Sequence, residues 1–182
     1  FMEQFGFGCC LADDMGLGKT VQLLALLAYE REVAKQQGRK LPVPPTLLIV
    51  PMSVVGNWMK EGKRFAPSLK SLIHHGLERL TGDALVDAAH AHDCVITTFA
   101  LANRDQETLQ KVGWGRIVVD EAQFIKNPAA KQSLAVRSLN APRRIALTGT
   151  PVENRLSELW SIMEFLNPGF LGTAGEFRKR FG

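Results

Sequence analysis

The sequence predicts an α/β domain: a three-layer arrangement with a mainly parallel central sheet. Three observations carry this. Six short runs are almost wholly apolar and often β-branched, as strands buried on both faces are. Helical stretches separate them, and that alternation builds right-handed strand–helix–strand units. The first strand opens through the stretch LADDMGLGKT, residues 11–20, directly into a helix.

The elements follow in order. A strand over Gly8–Ala12 leads through the glycine-containing loop to a helix over Thr20–Lys35. The segment QQGRKLPVPP, Gln36–Pro45, is polar and then proline-rich, so it is a loop. Strands are expected over Thr46–Val50, Ser71–His74, Cys94–Thr98, Arg116–Val119 and Arg144–Thr148. Helices are expected over Val54–Phe65, Asp83–His90, Phe99–Val112, Ala129–Leu139 and Ser157–Leu166. No internal repeat, low-complexity tract or linker interrupts them, so residues 1–182 read as one domain.

Composition narrows the class. Of the 182 residues, 46% are hydrophobic and 22% charged, which are ordinary globular values. No apolar run approaches the roughly 18 residues a membrane span needs, and no secretory leader is evident at the start. The expectation is a cytoplasmic protein without a membrane partner. Cys9, Cys10 and Cys94 fall in strand-like runs without a CxxC pair and read as buried, reduced thiols. Net charge is +4 and the isoelectric point about 9.1. Five basic residues (Lys126, Lys131, Arg137, Arg143, Arg144) stand between Ala122 and Val152 without an acid, and Arg178, Lys179 and Arg180 follow near the end. Such a surface suits a phosphate backbone; equally, it can be a solvated face with its acids elsewhere.

MGLGKT has the character of a phosphate loop. Gly16 and Gly18 allow the torsions that aim several backbone N–H groups at an anion. The helix start that follows favours negative charge. Lys19 would reach the terminal phosphates of a nucleotide, and the Thr20 hydroxyl would bind Mg²⁺. The general pattern GxxxxGK[ST] places a glycine where this chain has Asp13. Asp13 and Asp14 either tune the loop or are solvated turn residues, and the second reading is preferred.

The partner site is RIVVDEAQ. Ile117–Val119 form a buried strand, with Asp120 and Glu121 at its C-terminal end, where ligands of open α/β sheets bind. Asp120 can hold Mg²⁺, and Glu121 can orient and deprotonate an attacking water. The competing reading is a pair of acids capping the next helix. Ser53 can likewise be a helix cap, and Thr148 and Thr150 turn residues. Trp58, Trp114 and Trp160 read as packing residues; His74, His75, His90 and His92 read as surface or strand-end residues without partner ligands.

LADDMGLGKT, DEAQ and LTGTPVENRLSELWSIMEFLNP, in that order, resemble the Swi/Snf-type ATPases of helicase superfamily two, over nearly the whole chain. That family writes Asp or Glu at the position of Asp13. The resemblance implies the first RecA-like lobe of a P-loop NTPase that uses ATP and Mg²⁺. Asp14, Met15, Gly16, Leu17, Gly18, Lys19 and Thr20 would cradle the nucleotide, with Gly16–Thr20 as motif I. Asp120–Gln123 would be motif II, Gln123 standing where the commoner form has histidine. Leu147–Pro151 would be motif III, with Thr148, Gly149 and Thr150 coupling nucleotide state to nucleic acid. Pro51, Ser53 and Asn57–Trp58 would be motif Ia, and Thr97–Thr98 motif Ib, both lying along the tracked DNA strand.

The family works with two lobes. The second carries an arginine finger from motif VI, a contribution of roughly 10³ to 10⁵ in rate. Neither it nor the adenine-reading glutamine motif is present here, and Gln4 is no substitute. The chain is therefore expected to be a fragment whose parent moves along double-stranded DNA and remodels protein–DNA complexes. A strand-separating helicase and a non-hydrolysing regulatory domain are the rivals. DEAQ and TGT differ from the DEAD and SAT of RNA helicases, and intact Lys19, Thr20, Asp120 and Glu121 disfavour a regulatory domain. No NKxD-type guanine reader supports a GTPase.

Overall fold

A computed structural model describes residues 1–14, 16–38, 43–151 and 156–181. Its centre is a six-stranded sheet: β1 (Cys9–Leu11), β2 (Thr46–Val50), β3 (Ser71–Ile73), β4 (Cys94–Thr98), β5 (Arg116–Asp120) and β6 (Arg144–Leu147). The spatial order is β1-β6-β5-β2-β4-β3, and every described pairing is parallel. Among the described residues eight α-helices surround it: α1 (Lys19–Gln36), α2 (Val55–Phe65), α3 (Gly82–His90), α4 (Phe99–Arg104), α5 (Gln106–Gln110), α6 (Lys131–Ser138), α7 (Leu156–Leu166) and α8 (Ala174–Phe181).

Strand alternation divides the core. Leu48, Val50, Val118, Ile145 and Leu147 face α1 and α2, where Leu23, Leu24, Leu27 and Trp58 pack. Leu47, Ile49, Ile117, Val119 and Ala146 face the opposite layer with Leu85, Phe99, Val136 and Phe165. β1 and β3 are the edges, so their burial is partial. That overturns part of the cysteine reading: Cys94 is buried, Cys9 half-buried and Cys10 exposed on β1.

The predicted helix over Phe99–Val112 is two. It breaks at Asp105, whose carboxylate is held by Arg79 through bonds of 2.7 and 3.1 Å. Asp105 also lies 3.2 Å from His74 Nε2. His74 is only 1% exposed at the end of β3, which excludes the surface alternative and leaves the strand-end one, and its Nδ1 meets Thr97 Oγ1 at 2.9 Å. Burial pushes the imidazole below its ordinary 6.5, against the pull of Asp105. Below pH 6.5 the unfolded chain takes a proton that folded His74 resists, so this part of the stability is lost as pH falls from 6.5 toward the folded value. Thermal melts between pH 7.5 and 5 should show that decline, and His74→Gln should flatten it.

Most of the basic run does not face solvent freely. Arg144 is buried and donates to the carbonyls of Phe165 and Leu139. Lys126 is buried and lies 3.3 Å from Glu158. Arg137 donates to the Pro128 carbonyl and the Ser161 hydroxyl, and Arg143 pairs with Glu30. Their acids and carbonyls come from elsewhere in the chain; of the five, Lys131 and Arg143 are exposed. Arg178, Lys179 and Arg180 on α8 are exposed as expected. Among the described residues no helix is long and apolar enough to cross a membrane.

Candidate nucleotide site

The site lies past the C-terminal ends of β1, β5 and β6. Asn167 anchors the start of β1 by accepting the Gly8 N–H at 2.9 Å and donating to its carbonyl at 3.3 Å. After β1 the chain turns through Gly16 (φ 83°) and Gly18 (φ 77°), left-handed torsions that disfavour any side chain with a Cβ. α1 starts at Lys19, so Lys19 and Thr20 occupy the first turn, where unpaired N–H groups face outward along the axis. The Lys19 ammonium donates to the carbonyls of Asp13 at 2.6 Å and Asp14 at 3.0 Å. The Asp13 carboxylate accepts Gln22 Nε2 at 3.3 Å. Asp13 is half-buried, and its carboxylate meets only the exposed Gln22 amide among the described residues. Met15 lies outside the described residues; Leu17 is exposed at 61%.

Across the pocket, β5 delivers Asp120 and Glu121. Asp120 Oδ1 accepts the Glu121 N–H at 2.9 Å, and Oδ2 accepts the Trp58 indole N–H at 2.8 Å. Burial raises the Asp120 carboxyl above the usual carboxylate range, and the Trp58 bond partly offsets this. Glu121 has φ 53° and ψ 62°, the one described non-glycine residue with positive φ. Such a conformation costs of order 1–3 kcal/mol and persists where neighbours over-determine it. Here Gln123 Nε2 donates to Glu121 Oε2 at 2.6 Å. Thr148 Oγ1 donates to Gln123 Oε1 at 3.2 Å, and the Thr150 N–H donates to Thr148 Oγ1 at 3.0 Å. The parallel register of β5 and β6 sets Asp120 beside Leu147, which brings the two loops together.

Gly16, Gly18, Lys19, Thr20, Asp120 and Glu121 line one pocket of about 610 Å³. Its far wall is α2, including Asn57, Trp58 and Arg64. Four of the seven residues expected at the nucleotide, Gly16, Gly18, Lys19 and Thr20, are thus brought together with Asp120 and Glu121 from about a hundred positions away, whereas Asp14 and Leu17 do not line the pocket. The donor set suits a phosphate chain with a hard cation: backbone N–H groups, an ammonium, a hydroxyl and a half-buried carboxylate held by two neutral donors.

The residues expected along nucleic acid divide. Ser53 and Asn57 are exposed, as is Thr150, and Gly149 is half-buried. Pro51 is buried at the start of the short 3-10 turn Met52–Val54. Thr97 is 0% exposed with its hydroxyl against His74, Thr98 caps α4 by accepting the Leu101 N–H, and Thr148 is 0% exposed in the line described above. Those three hydroxyls hold the architecture rather than face solvent. Trp58 was read as a packing residue and, with Asn57, as part of motif Ia; its bond to Asp120, 62 residues away, has no signature in the sequence.

A family model for the SNF2-related domain matches residues 2–182. YwqA of Bacillus subtilis is 46% identical over 181 residues, covering 100% of this chain and 19% of that protein. The TATA-binding protein-associated factor MOT1 of Saccharomyces cerevisiae is 38% identical over 189 residues, covering 100% of this chain and 10% of that one. Among solved structures, the Sulfolobus solfataricus SWI2/SNF2 ATPase core in complex with dsDNA superposes with a TM-score of 0.83 at 46% identity, covering 100% of this chain and 36% of that chain. The chain thus spans about a fifth or less of the curated relatives it matches.

Proposed function

The chain belongs to the SNF2-related domain family, and on that premise we propose that it is the ATP-binding lobe of a DNA-dependent ATPase. The parent moves on double-stranded DNA and remodels protein–DNA complexes, working with a second RecA-like lobe of the same polypeptide. One observation carries this reading: the Lys19–Thr20 helix start and the Asp120–Glu121 strand end line a single pocket.

ATP supplies a phosphoanhydride to be cleaved, and Mg²⁺ offsets the charge of its phosphates. The chain's own residues do the rest. The backbone of Gly16–Gly18 and the α1 N-terminus bind the phosphates. The Lys19 ammonium exchanges the carbonyls of Asp13 and Asp14 for phosphate oxygens. Thr20 and Asp120 would hold the metal. Glu121 takes the proton of the attacking water, and Gln123 fixes its carboxylate at 2.6 Å. The line from Glu121 through Gln123 and Thr148 ends on exposed Thr150. A change at the water-activating carboxylate therefore has a short route to the surface, which is the coupling expected of this segment. Ser53, Asn57, Gly149 and Thr150 are the backbone-facing set, because neutral donors past strand ends contact phosphates without reading sequence.

The test is the ATPase rate of the full-length protein without nucleic acid and with duplex DNA, single-stranded DNA or RNA, at low and high salt. Strong stimulation by duplex DNA that falls as salt rises is expected. Intact ATP binding with no stimulation by any nucleic acid would instead support a regulatory domain.

A further inference from the structure

A buried indole needs a partner for its N–H. In two of the three tryptophans that partner is a main-chain carbonyl: Leu109 for Trp114 at 2.7 Å and Gly172 for Trp160 at 3.0 Å. Trp58 differs. It is 2% exposed, and its ring sits in the same core cluster as Leu23, Leu24, Val55 and Ile96. Its N–H leaves that core at one point only, 2.8 Å from Asp120 Oδ2.

Asp120 is thereby held from two directions. Its own β5 backbone supplies the Glu121 N–H to Oδ1 at 2.9 Å, and α2 supplies the indole to Oδ2. Two neutral donors on the two oxygens fix the rotation of the carboxyl plane and leave its charge for a cation. Trp58, Lys19, Thr20 and Asp120 all line the same pocket, so the remaining lone pairs of Asp120 and the hydroxyl of Thr20 open on one space. Groups that orient a metal ligand from behind set metal affinity as strongly as some ligands do.

We propose that Trp58 is a positioning residue for metal binding, its indole N–H orienting the Asp120 carboxylate toward the cation that Thr20 shares. The proposal rests on Asp120 being the metal-holding carboxylate. Phenylalanine at this position would fill most of the same space and leave Oδ2 without its donor.

The experiment titrates Mg²⁺ against binding of a fluorescent ADP analogue in the full-length protein, for the unsubstituted chain, Trp58→Phe and Asp120→Asn. For Trp58→Phe the half-saturating Mg²⁺ concentration is expected to rise roughly tenfold, with metal-free nucleotide binding and the cooperativity of thermal unfolding unchanged. A loss of packing alone would weaken both kinds of binding together. If Asp120→Asn leaves the Mg²⁺ dependence unchanged, the metal assignment itself fails. If Asp120→Asn raises it and Trp58→Phe does not, the metal assignment stands and the positioning role is overturned. Should Trp58→Phe not fold, ¹⁵N-indole spectra of the unsubstituted protein decide. The indole signal that Asp120→Asn displaces should also move when Mg²⁺ joins bound ADP; a signal that stays still overturns the proposal.

Discussion

Glu121→Gln in the full-length protein is expected to bind ATP with Mg²⁺ as the unsubstituted protein does and to hydrolyse it about 10² to 10⁴ times more slowly. The amide has the size of the carboxylate, so Gln123 can still reach the oxygen it now holds at 2.6 Å. The left-handed backbone at φ 53° is unaltered in kind, because Glu and Gln are alike at Cβ. What is lost is a base able to take the water's proton. The groups proposed to bind phosphate, Gly16, Gly18, Lys19 and Thr20, line the same pocket and are not touched. Lys19→Ala should behave in the opposite way, losing nucleotide affinity together with turnover, because it removes the ammonium that pairs with phosphate. Equilibrium binding of a fluorescent nucleotide beside single-turnover hydrolysis separates the two. Retention of most activity by Glu121→Gln would remove Glu121 from the role of base.

Much of this arrangement was legible in the sequence for a simple reason. β2 and β4 are short runs of apolar and β-branched residues, and the structure places them at Thr46–Val50 and Cys94–Thr98, as expected. Central parallel strands are buried on both faces, so their signal is strong. The phosphate loop and the strand-end acids are local patterns, and the rule that ligands bind at strand C-termini brings them together without further information. The edge strand β1 broke the burial rule because only β6 pairs with it.

The rest was hidden for different reasons. Contacts between distant segments have no local signature: Trp58 with Asp120, His74 with Asp105, and the internal partners of Arg137, Arg143 and Arg144. A run of basic residues without acids therefore looked like a surface. α8 is another matter, since its signal was readable and was missed. Thr173 and Glu176 form a reciprocal capping box: the Thr173 N–H donates to Glu176 Oε2 at 2.8 Å, and the Glu176 N–H to Thr173 Oγ1 at 3.2 Å. The T-x-x-E spacing at residues 173–176 marks that helix start in the sequence itself.

Arg116→Met should destabilise the fold by about 3 kcal/mol, near the lower end of what breaking a buried ion pair costs. Arg116 opens β5 and is 2% exposed. Its guanidinium holds Glu3 through Nε at 2.8 Å and Nη2 at 2.6 Å, and Glu30 through Nη1 at 2.9 Å and Nη2 at 2.8 Å. One planar group thus fastens the N-terminal 3-10 turn and α1 to the strand that carries Asp120 and Glu121. Although burial opposes charge at both groups, the paired bonds win: they keep the guanidinium pKa above its ordinary value and the Glu30 carboxyl below its own. With methionine in place, two carboxylates stay half-buried and face each other. Glu3 and Glu30 retain side-chain exposures of 17% and 22%, so water relieves part of the penalty, and Arg143 still reaches Glu30 at 3.1 Å. Arg116→Lys should recover little, because an ammonium cannot form two bidentate pairs at once. The same geometry sets an acid limit. Stability from Glu30 is present above its ordinary 4.5 and is lost as pH falls from there through the lowered folded value. Denaturant unfolding of the two variants near pH 7 and near pH 4 checks both statements: the gap between unsubstituted protein and Arg116→Met should narrow at the lower pH. A gap that stays constant would mean that packing of the arginine stem, rather than its paired charge, holds the N-terminal turn in place.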